Sequence, residues 1–357
     1  MRKLASIRIV KDLQPIKDKD RIELAFIDGW QVIVKKGEYK INEEIVFCEI
    51  DSVLPKKPEF DFLAKCNYRI KTMKMGGVLS QGICFPTSIL PKGKYKLGQD
   101  VTDVIGIKQY EKTLDREPVV KQKYNKFIQF LLKFKVFKKI ILPKPEYKNF
   151  PSFISKTDEI RLQNVLHYLQ ENVSWTVTEK IDGQSGTFVL KRIKPKYFWQ
   201  KEKFDYMVCS RNYRLNNKTN SSYWKVSDKY NIEKALKLLI KKEDWVAIQG
   251  ECIDTKVQGN KYKVSEADFY AFNLIYPKGS MTYSEMSNRL HLVGIKSVPF
   301  ITEIVGRATS MEDMIALSKG QSTLNNKTLK EGIVCRALLG DKSFKVINPE
   351  FLIKYDE

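Results

Sequence analysis

The sequence is poor in the residue types that most often bind zinc. It contains 2 histidines, His167 and His291, and 6 cysteines that stand singly, without a Cys-x-x-Cys pair. Because structural zinc sites draw their ligands from clusters of these residues, the sequence argues against a zinc site. Single thiols, mostly inside apolar strand-like segments, instead predict buried free cysteines in a reducing compartment. We therefore expect an intracellular, cytoplasmic protein.

Long hydrophobic runs are also missing. No segment approaches the roughly 18 apolar residues of a membrane-spanning helix, and the opening Met-Arg-Lys-Leu-Ala-Ser lacks the apolar core of a signal peptide. The basic and apolar segment 121–144 is compatible with an amphipathic helix on a membrane surface. A helix packed on one domain, with its lysines in water, is the commoner arrangement. We expect this second arrangement and no membrane partner.

Acidic residues are too few to balance the basic ones. With 63 Lys and Arg against 42 Asp and Glu, the formal net charge is +21 at pH 7. Such an excess favours a polyanionic partner, nucleic acid first and an acidic membrane surface second. Since lysine is spread along most of the chain, a lysine-rich proteome is the alternative explanation. The sequence shows no repeat and no coiled-coil pattern, so we expect a monomer.

A chain of 357 residues is long enough for two domains, each with its own core. Its first part indicates short strands separated by turns, with strand patterns at residues 31–34, 44–50 and 82–85 and little helical periodicity. A small β-barrel fits this pattern, and an OB-fold fits it best. Basic residues between the strands, such as Lys56 and Lys71, are typical of a solvated surface or of a groove that follows a phosphate backbone.

The segment Thr178-Glu179-Lys180-Ile181-Asp182-Gly183 ends an alternating strand with turn residues. It places Lys180 at a strand end, beside two carboxylates and a flexible backbone. Lysine becomes a covalent nucleophile only after its ammonium group loses a proton. Neighbouring cations or a metal would favour that loss, whereas carboxylates alone would not. Taken alone, the segment is more typical of a surface lysine before a β-turn.

Five further short segments follow Lys180 in a fixed order. They are Cys209-Ser210-Arg211-Asn212, Ile248-Gln249-Gly250-Glu251, Phe269-Tyr270-Ala271-Phe272, Glu331-Gly332-Ile333-Val334 and Ser343-Phe344-Lys345-Val346-Ile347. Together with K-x-D-G they resemble motifs I, Ia, III, IIIa, IV and V of the covalent nucleotidyltransferase superfamily, which includes ATP-dependent ligases and capping enzymes. One K-x-D-G is a weak signal, but six segments in this order are a strong one.

The N-terminal part narrows the resemblance to the Naegleria-type RNA ligases, which place an OB domain before the transferase domain. The matching sequence segments are Arg2-Lys3-Leu4-Ala5-Ser6-Ile7, Gly29-Trp30-Gln31-Val32, Glu49-Ile50-Asp51-Ser52-Val53-Leu54-Pro55 and Ser80-Gln81-Gly82. The resemblance implies an α+β protein with an N-terminal OB-fold β-barrel and an antiparallel-sheet, ATP-grasp-like covalent nucleotidyltransferase (ligase adenylation) domain. We predict an OB-fold RNA-binding domain at 1–105, a basic interdomain linker or helix at 106–149 and the nucleotidyltransferase domain at 150–357.

The resemblance also implies an activity and a set of site residues. The activity is ATP-dependent sealing of RNA 3′-hydroxyl and 5′-phosphate ends, with AMP covalently on Lys180 and with Mg²⁺ or Mn²⁺. Arg161 matches an arginine near the substrate phosphates, and the metal ligands would be Glu331 and Glu251. We place Arg161 on a helix capped by Thr157 or Asp158. The nucleotide-binding positions are Glu179, Asp182, Gly183, Arg211, Glu251, Lys263, Phe272 and Lys345.

Two departures from the superfamily pattern bear on the activity. The last motif often has two lysines one residue apart, but Ser343 takes the first place here, with Lys342 just before it. DNA ligases usually have an arginine just after K-x-D-G, whereas Gln184 and Ser185 follow here, as in RNA ligases. The alternatives are a DNA ligase or capping-type nucleotidyltransferase, or a catalytically inactive RNA-binding protein on the same scaffold.

Overall fold

The structure is a computed structural model that describes residues 3–110, 147–195, 197, 199, 201–215 and 221–355. The basic segment 121–144 and most of the predicted linker at 106–149 lie outside the described residues. Within them, the strands are β1 (Ala5–Ile9), β2 (Asp12–Pro15), β3 (Ile22–Ile27), β4 (Trp30–Lys35), β5 (Glu44–Glu49), β6 (Ser52–Val53), β7 (Met73–Met75), β8 (Val78–Ser80), β9 (Gly82–Pro86), β10 (Lys108–Gln109), β11 (Tyr147–Asn149), β12 (Ser174–Lys180), β13 (Gln184–Ile193), β14 (Lys203–Cys209), β15 (Tyr213–Leu215), β16 (Trp245–Ile253), β17 (Asp268–Tyr276), β18 (Gly279–Ser280), β19 (Phe300–Val305), β20 (Gly332–Ala337) and β21 (Ser343–Ile347). The α-helices are α1 (Thr102–Ile105), α2 (Ser222–Lys229), α3 (Ile232–Leu239), α4 (Tyr283–Leu292), α5 (Met311–Ser318) and α6 (Pro349–Tyr355).

No helix in the described ranges is long and apolar enough to cross a membrane. All 6 cysteines are free, and Cys66 is the exposed one among them. The prediction of buried free thiols is therefore confirmed for the other five.

The N-terminal part is built from small antiparallel sheets. Their strand orders are β1–β5–β9 and β2–β3–β4, and the predicted strands are present as β4, β5 and β9. Because side chains alternate along a strand, Trp30, Val32 and Val34 of β4 share the buried face. The rings of Trp30 and Phe47 lie 5.6 Å apart within this core. The alternation that predicts these strands is thus the alternation that builds the barrel interior.

The C-terminal part is built around two antiparallel sheets. The seven-stranded sheet has the order β11–β15–β14–β13–β16–β17–β18, and the four-stranded sheet has the order β19–β12–β20–β21. Helices α2, α3 and α4 pack on the first sheet, and α5 packs on the second. Since β12 ends at Lys180 and β13 begins at Gln184, the K-x-D-G turn carries the chain from one sheet to the other.

The helix predicted near Arg161 is wrong. The structure has two short 3₁₀ helices, Leu162–Asn164 and Leu166–Gln170, separated by Val165 at φ −138° and ψ 38°. Neither Thr157 nor Asp158 caps a helix, because the chain has no regular structure there. His167 is exposed on the second 3₁₀ helix.

The physical reason is that this segment buries polar side chains as well as apolar ones. The Asn164 side chain donates to the Glu49 carboxylate at 2.8 Å and accepts from the Trp30 indole at 3.3 Å. Leu162, Val165 and Leu169 are buried as well. A regular amphipathic helix would turn its polar residues toward water, whereas here they contact the N-terminal barrel.

Candidate active site

Lys180 contacts Glu331 directly at the end of β12. The register of β12 and β20 pairs Lys180 with Gly332, so Glu331 lies beside it. The Nζ atom of Lys180 is 2.6 Å from Oε2 of Glu331, and the two side chains are only 24% and 16% exposed. The sheet therefore brings together the predicted nucleophile and one predicted metal ligand, which are far apart in sequence.

Glu251 reaches the same place from β16, where it pairs with Ser185 of β13. Its Oε1 accepts the backbone N–H of Gly183 at 3.1 Å. A Cβ atom on Gly183 would lie 2.5 Å from the carbonyl oxygen of Cys252 and 2.9 Å from Cγ of Glu251. Because no side chain tolerates such distances, only glycine lets this turn lie against β16.

Burial and the repulsion between the carboxylates shift the pKa values of Glu251, Glu331 and Lys180. Burial raises the pKa of Glu251 to about 8, and Glu331 and Asp182 add to the rise while Lys180 opposes it. Burial likewise raises the pKa of Glu331. Burial alone would lower the pKa of Lys180, but the carboxylates of Glu331, Glu251 and Asp182 outweigh it, and the pKa is raised. Beside these carboxylates, Lys180 keeps its proton.

A lysine that the sequence did not single out reaches the K-x-D-G turn. Lys261 forms an ion pair with Asp182, and the Asp182 N–H donates to the Tyr262 hydroxyl at 2.8 Å. The Nζ atom of Lys261 also lies 5.4 Å and 5.3 Å from the ring centres of Phe351 and Tyr355 on α6. Lys263, the predicted nucleotide-binding lysine of the same loop, is exposed instead.

The two predicted phosphate-binding cations converge on Asp158. Nη2 of Arg211 lies 3.1 Å from Oδ2 of Asp158, and Nζ of Lys345 lies 3.4 Å from Oδ1. Lys345 pairs with Val334 in the sheet that contains Lys180, and its positive charge acts to lower the pKa of Glu331. The structure therefore gathers Arg211 and Lys345 at one edge of the site, on the carboxylate of Asp158, a predicted helix cap.

Ser343, which takes the place of a motif lysine, is uncharged and forms a hydrogen bond instead of an ion pair. Its hydroxyl donates to Glu159, which also pairs with Arg336 at 2.7 Å. The Arg336 guanidinium lies 5.3 Å from the ring centre of Phe272. Phe272, a predicted nucleotide-binding residue, packs against the small cluster that contains Ile181. An aromatic side chain thus lies beside the K-x-D-G turn.

The side chain of Glu179 lies away from Lys180. Successive side chains of β12 point to opposite faces, and Glu179 accepts hydrogen bonds from the Ser322 and Thr323 hydroxyls and from the Thr323 N–H at 3.0 Å. These bonds fix the loop that leads into Glu331. The Glu179 side chain therefore positions that loop.

Arg161 lies between the two parts of the chain and not on a solvated helix. It is 6% exposed, and its Nη2 lies 3.1 Å from Oδ2 of Asp51, whose Oδ1 lies 3.2 Å from Nη2 of Arg69. The Arg161 backbone forms a parallel bridge with Lys345. One short segment therefore contacts both the N-terminal barrel and the last strand of the site.

Asp51→Asn should destabilise the protein, because it removes the carboxylate that two buried guanidinium groups share. Breaking one partner of such a buried pair costs about 3–5 kcal/mol, and we expect a loss near the lower end because Asp51 is partly exposed. Urea unfolding of the full chain measures this loss. Asp20→Asn, at an exposed position, is the matched control. Equal midpoints for the two variants would contradict the assignment.

The metal prediction rests on two glutamates. Within the part of the chain that the structure describes, no group of three or more His, Cys, Asp or Glu side chains is arranged to hold a metal ion. Mg²⁺ and related hard cations, however, are often held by one or two carboxylates together with water and substrate phosphates. Glu331 and Glu251 fit this mode, since burial and repulsion raise both pKa values and a cation would relieve the repulsion.

Family models match both parts of the chain. Residues 4–87 match a model described as an OB-fold domain, and residues 173–347 match the model described as RNA ligase. No curated protein sequence matches the chain. The two models confirm the predicted order, with a barrel first and a sheet-rich, mixed α/β domain after it.

Solved structures of an RNA ligase from Naegleria gruberi match the chain over its whole length. A lysine mutant with ATP and Mn is 28% identical, with a TM-score of 0.81 and 99% of each chain covered. A glutamate mutant with ATP and Mn is also 28% identical, with a TM-score of 0.81 and 100% of each chain covered. A lysine mutant with AMP and Mn is 28% identical, with a TM-score of 0.82 and 99% of each chain covered.

Proposed function

We propose that this chain, an RNA ligase by its family match over residues 173–347, joins the 3′-hydroxyl and 5′-phosphate ends of RNA with ATP. The reaction would pass through a lysyl-AMP intermediate and an RNA-adenylate. The observation that carries the proposal is the contact of Lys180 with Glu331 at 2.6 Å, beside Glu251 and the K-x-D-G turn. Related structures that contain ATP or AMP with Mn support the choice of nucleotide and metal.

In the first step Lys180 attacks the α-phosphorus of ATP. A phosphorus–nitrogen bond forms, the bond to the bridging oxygen breaks, and pyrophosphate leaves. The ammonium group must first lose its proton, which Glu331 and Glu251 oppose as long as they carry uncompensated negative charge. When bound by these two glutamates, Mg²⁺ or Mn²⁺ supplies positive charge that favours the neutral amine and offsets the phosphate charge.

Arg211 and Lys345 are placed to receive the phosphates. Both contact Asp158, which is about half exposed, so an incoming phosphate could take the place of its carboxylate. Positioned cations of this kind stabilise the charge that develops during phosphoryl transfer. We further assign adenine stacking to Phe272, phosphate or base contact to Lys263, and nucleotide contacts to Asp182 and Gly183.

The remaining two steps use the RNA ends. The 5′-phosphate of one strand attacks lysyl-AMP, which frees Lys180 and gives an RNA-adenylate. The 3′-hydroxyl of the other strand then attacks the adenylated phosphate, and AMP leaves. Arg161 is assigned to the substrate phosphates and the OB-fold domain to RNA binding. The domain limits 1–105, 106–149 and 150–357, the monomeric state and the cytoplasmic location remain predictions.

An end-joining assay on the full chain tests the proposal. We expect ATP with Mg²⁺ or Mn²⁺ to support sealing of nicked or single-stranded substrates with an RNA 3′-hydroxyl end, at least about tenfold faster than all-DNA substrates of equal sequence. Equal sealing of DNA would favour a DNA ligase, and protein labelling from α-labelled GTP would favour a capping-type enzyme. RNA binding by a protein that takes no label from α-labelled ATP would favour a catalytically inactive RNA-binding protein.

A further inference from the structure

The hairpin between β13 and β14 carries two stacked aromatic rings outside the site described above. The ring centres of Tyr197 and Trp199 are 4.9 Å apart, and the ring planes differ by 4°. The two residues are 45% and 66% exposed. Large aromatic residues are buried on average, and an exposed ring pair is typical of a surface that binds another molecule.

The same hairpin is strongly basic. Residues 191–203 contain 6 basic residues, Lys191, Arg192, Lys194, Lys196, Lys201 and Lys203, and 1 acidic residue, Glu202, which is a net charge of +5. Glu202 pairs with Arg192, and Lys194, whose side chain is 80% exposed, lies 3.4 Å from Oδ1 of the exposed Asp244. Aromatic faces among exposed lysines are the combination that binds single-stranded nucleic acid, because the rings stack on bases and the lysines meet phosphates.

The length of β13 gives the distance between the hairpin and the active site at Lys180. Strand β13 begins at Gln184, next to the K-x-D-G turn, and runs for 10 residues to Ile193. At about 3.3 Å per residue, the far end of β13 lies roughly 30 Å from the active site. A stacked nucleic-acid strand advances about 3.4 Å per nucleotide, so roughly nine nucleotides cover this distance.

We propose that Tyr197 and Trp199 form a stacking platform for single-stranded RNA, about nine nucleotides from the ends being joined. The proposal rests on the proposed function, which places the RNA ends at Lys180. It commits to unpaired RNA because paired bases do not offer their faces to a side chain. The platform would hold long substrates and would leave the chemistry at Lys180 unchanged.

RNA binding as a function of length tests the platform. Fluorescence anisotropy would measure the affinity of the full chain for single-stranded RNAs of 8, 12, 16 and 24 nucleotides. We expect the wild-type affinity to rise once the RNA exceeds about ten nucleotides. Trp199→Ala should remove that rise and weaken binding of the longest RNA by about 5- to 150-fold, the range of one lost base–aromatic stack.

Two variants control for folding and ring chemistry. Trp199→Phe keeps an aromatic face and should retain most of the affinity for the longest RNA. Leu292→Ala, at a position 83% exposed on α4, should bind every RNA as the wild type does. Unchanged binding of the longest RNA by Trp199→Ala would overturn the proposal, and so would an equal loss at all lengths.

An acidic membrane is the competing partner for a basic hairpin with exposed aromatic rings. Sedimentation with vesicles of phosphatidylcholine and phosphatidylserine distinguishes the two. Loss of vesicle binding in Trp199→Ala, with RNA binding intact, would overturn the RNA proposal. Labelling of the same variant from α-labelled ATP should equal that of the wild type. A wild-type protein that takes no label would contradict the proposed function but not the RNA platform, since the binding curves are read independently.

Discussion

Lys180→Ala should reduce labelling of the protein from α-labelled ATP to background. The side chain that would form the phosphorus–nitrogen bond is gone, and no other lysine lies in ion-pair contact with Glu331 among the described residues. A denaturing gel after incubation with Mg²⁺ or Mn²⁺ measures the covalent label. The expected effect is complete, because a missing nucleophile cannot be replaced by better positioning of the remaining groups.

Lys180→Arg separates the charge of Lys180 from its chemistry. Arginine can keep an ion pair with Glu331, but it does not lose its proton in proteins, so it should also remain unlabelled. Lys237→Ala, which removes an exposed lysine paired with Glu233, should label like the wild type. Label on either Lys180 variant would show that another residue carries the AMP.

A ready-made RNA-adenylate bypasses the lysine. If Lys180 acts only as the carrier of AMP, Lys180→Ala should still join such an RNA to a 3′-hydroxyl end, because that step forms no bond to the protein. A variant inactive in both assays would instead indicate that the loss of the ammonium group disturbs Glu331 and Glu251, whose pKa values depend on it.

The motifs identified in the sequence lie on strands that pair with one another in the structure, although their order alone does not state the pairing. Lys180 pairs with Gly332 and Val334 pairs with Lys345 in the four-stranded sheet, and Ser185 pairs with Glu251 in the other. Alternation along β12 also indicates that Glu179 and Lys180 face opposite ways, which the resemblance by itself does not. Motif matching and side-chain alternation both apply to regular strands. Neither one predicts the contacts of irregular segments.

Irregular segments account for what the sequence could not predict. Lys261 and Lys263 stand two residues apart in one loop, in which Asn260 and Lys263 have positive φ of 47° and 53°, and of the two lysines it is Lys261 that meets Asp182. The pairing of Arg161 with Asp51 joins residues 110 positions apart. No local pattern encodes such a contact, because it depends on how the barrel and the transferase domain pack together.

Gly183→Ala should slow labelling by about 10²-fold or more in an otherwise folded protein. The added methyl group would lie 2.5 Å from the Cys252 carbonyl oxygen and 2.9 Å from Cγ of Glu251, so the turn or β16 must move. A shift of that kind would lengthen the bond from the Gly183 N–H to Glu251 and misplace Lys180, which is three residues earlier. Displacements near 1 Å at a reacting group cost about 10²-fold in rate.

Single-turnover labelling and urea unfolding of Gly183→Ala are measured together. The labelling rate reports the geometry of the turn, and the unfolding midpoint reports the stability of the chain. Gly93→Ala is the matched control, because a Cβ there would meet no atom closer than 3.5 Å, from the Tyr95 ring. Overpacking at Gly183 should lower the free energy of unfolding by about 1–3 kcal/mol. That change is too small to unfold the chain if its stability is in the usual range, so a slow but folded variant would locate the defect in the turn. Labelling of Gly183→Ala at the wild-type rate would show that the close approach of this turn to β16 is not needed for attack by Lys180.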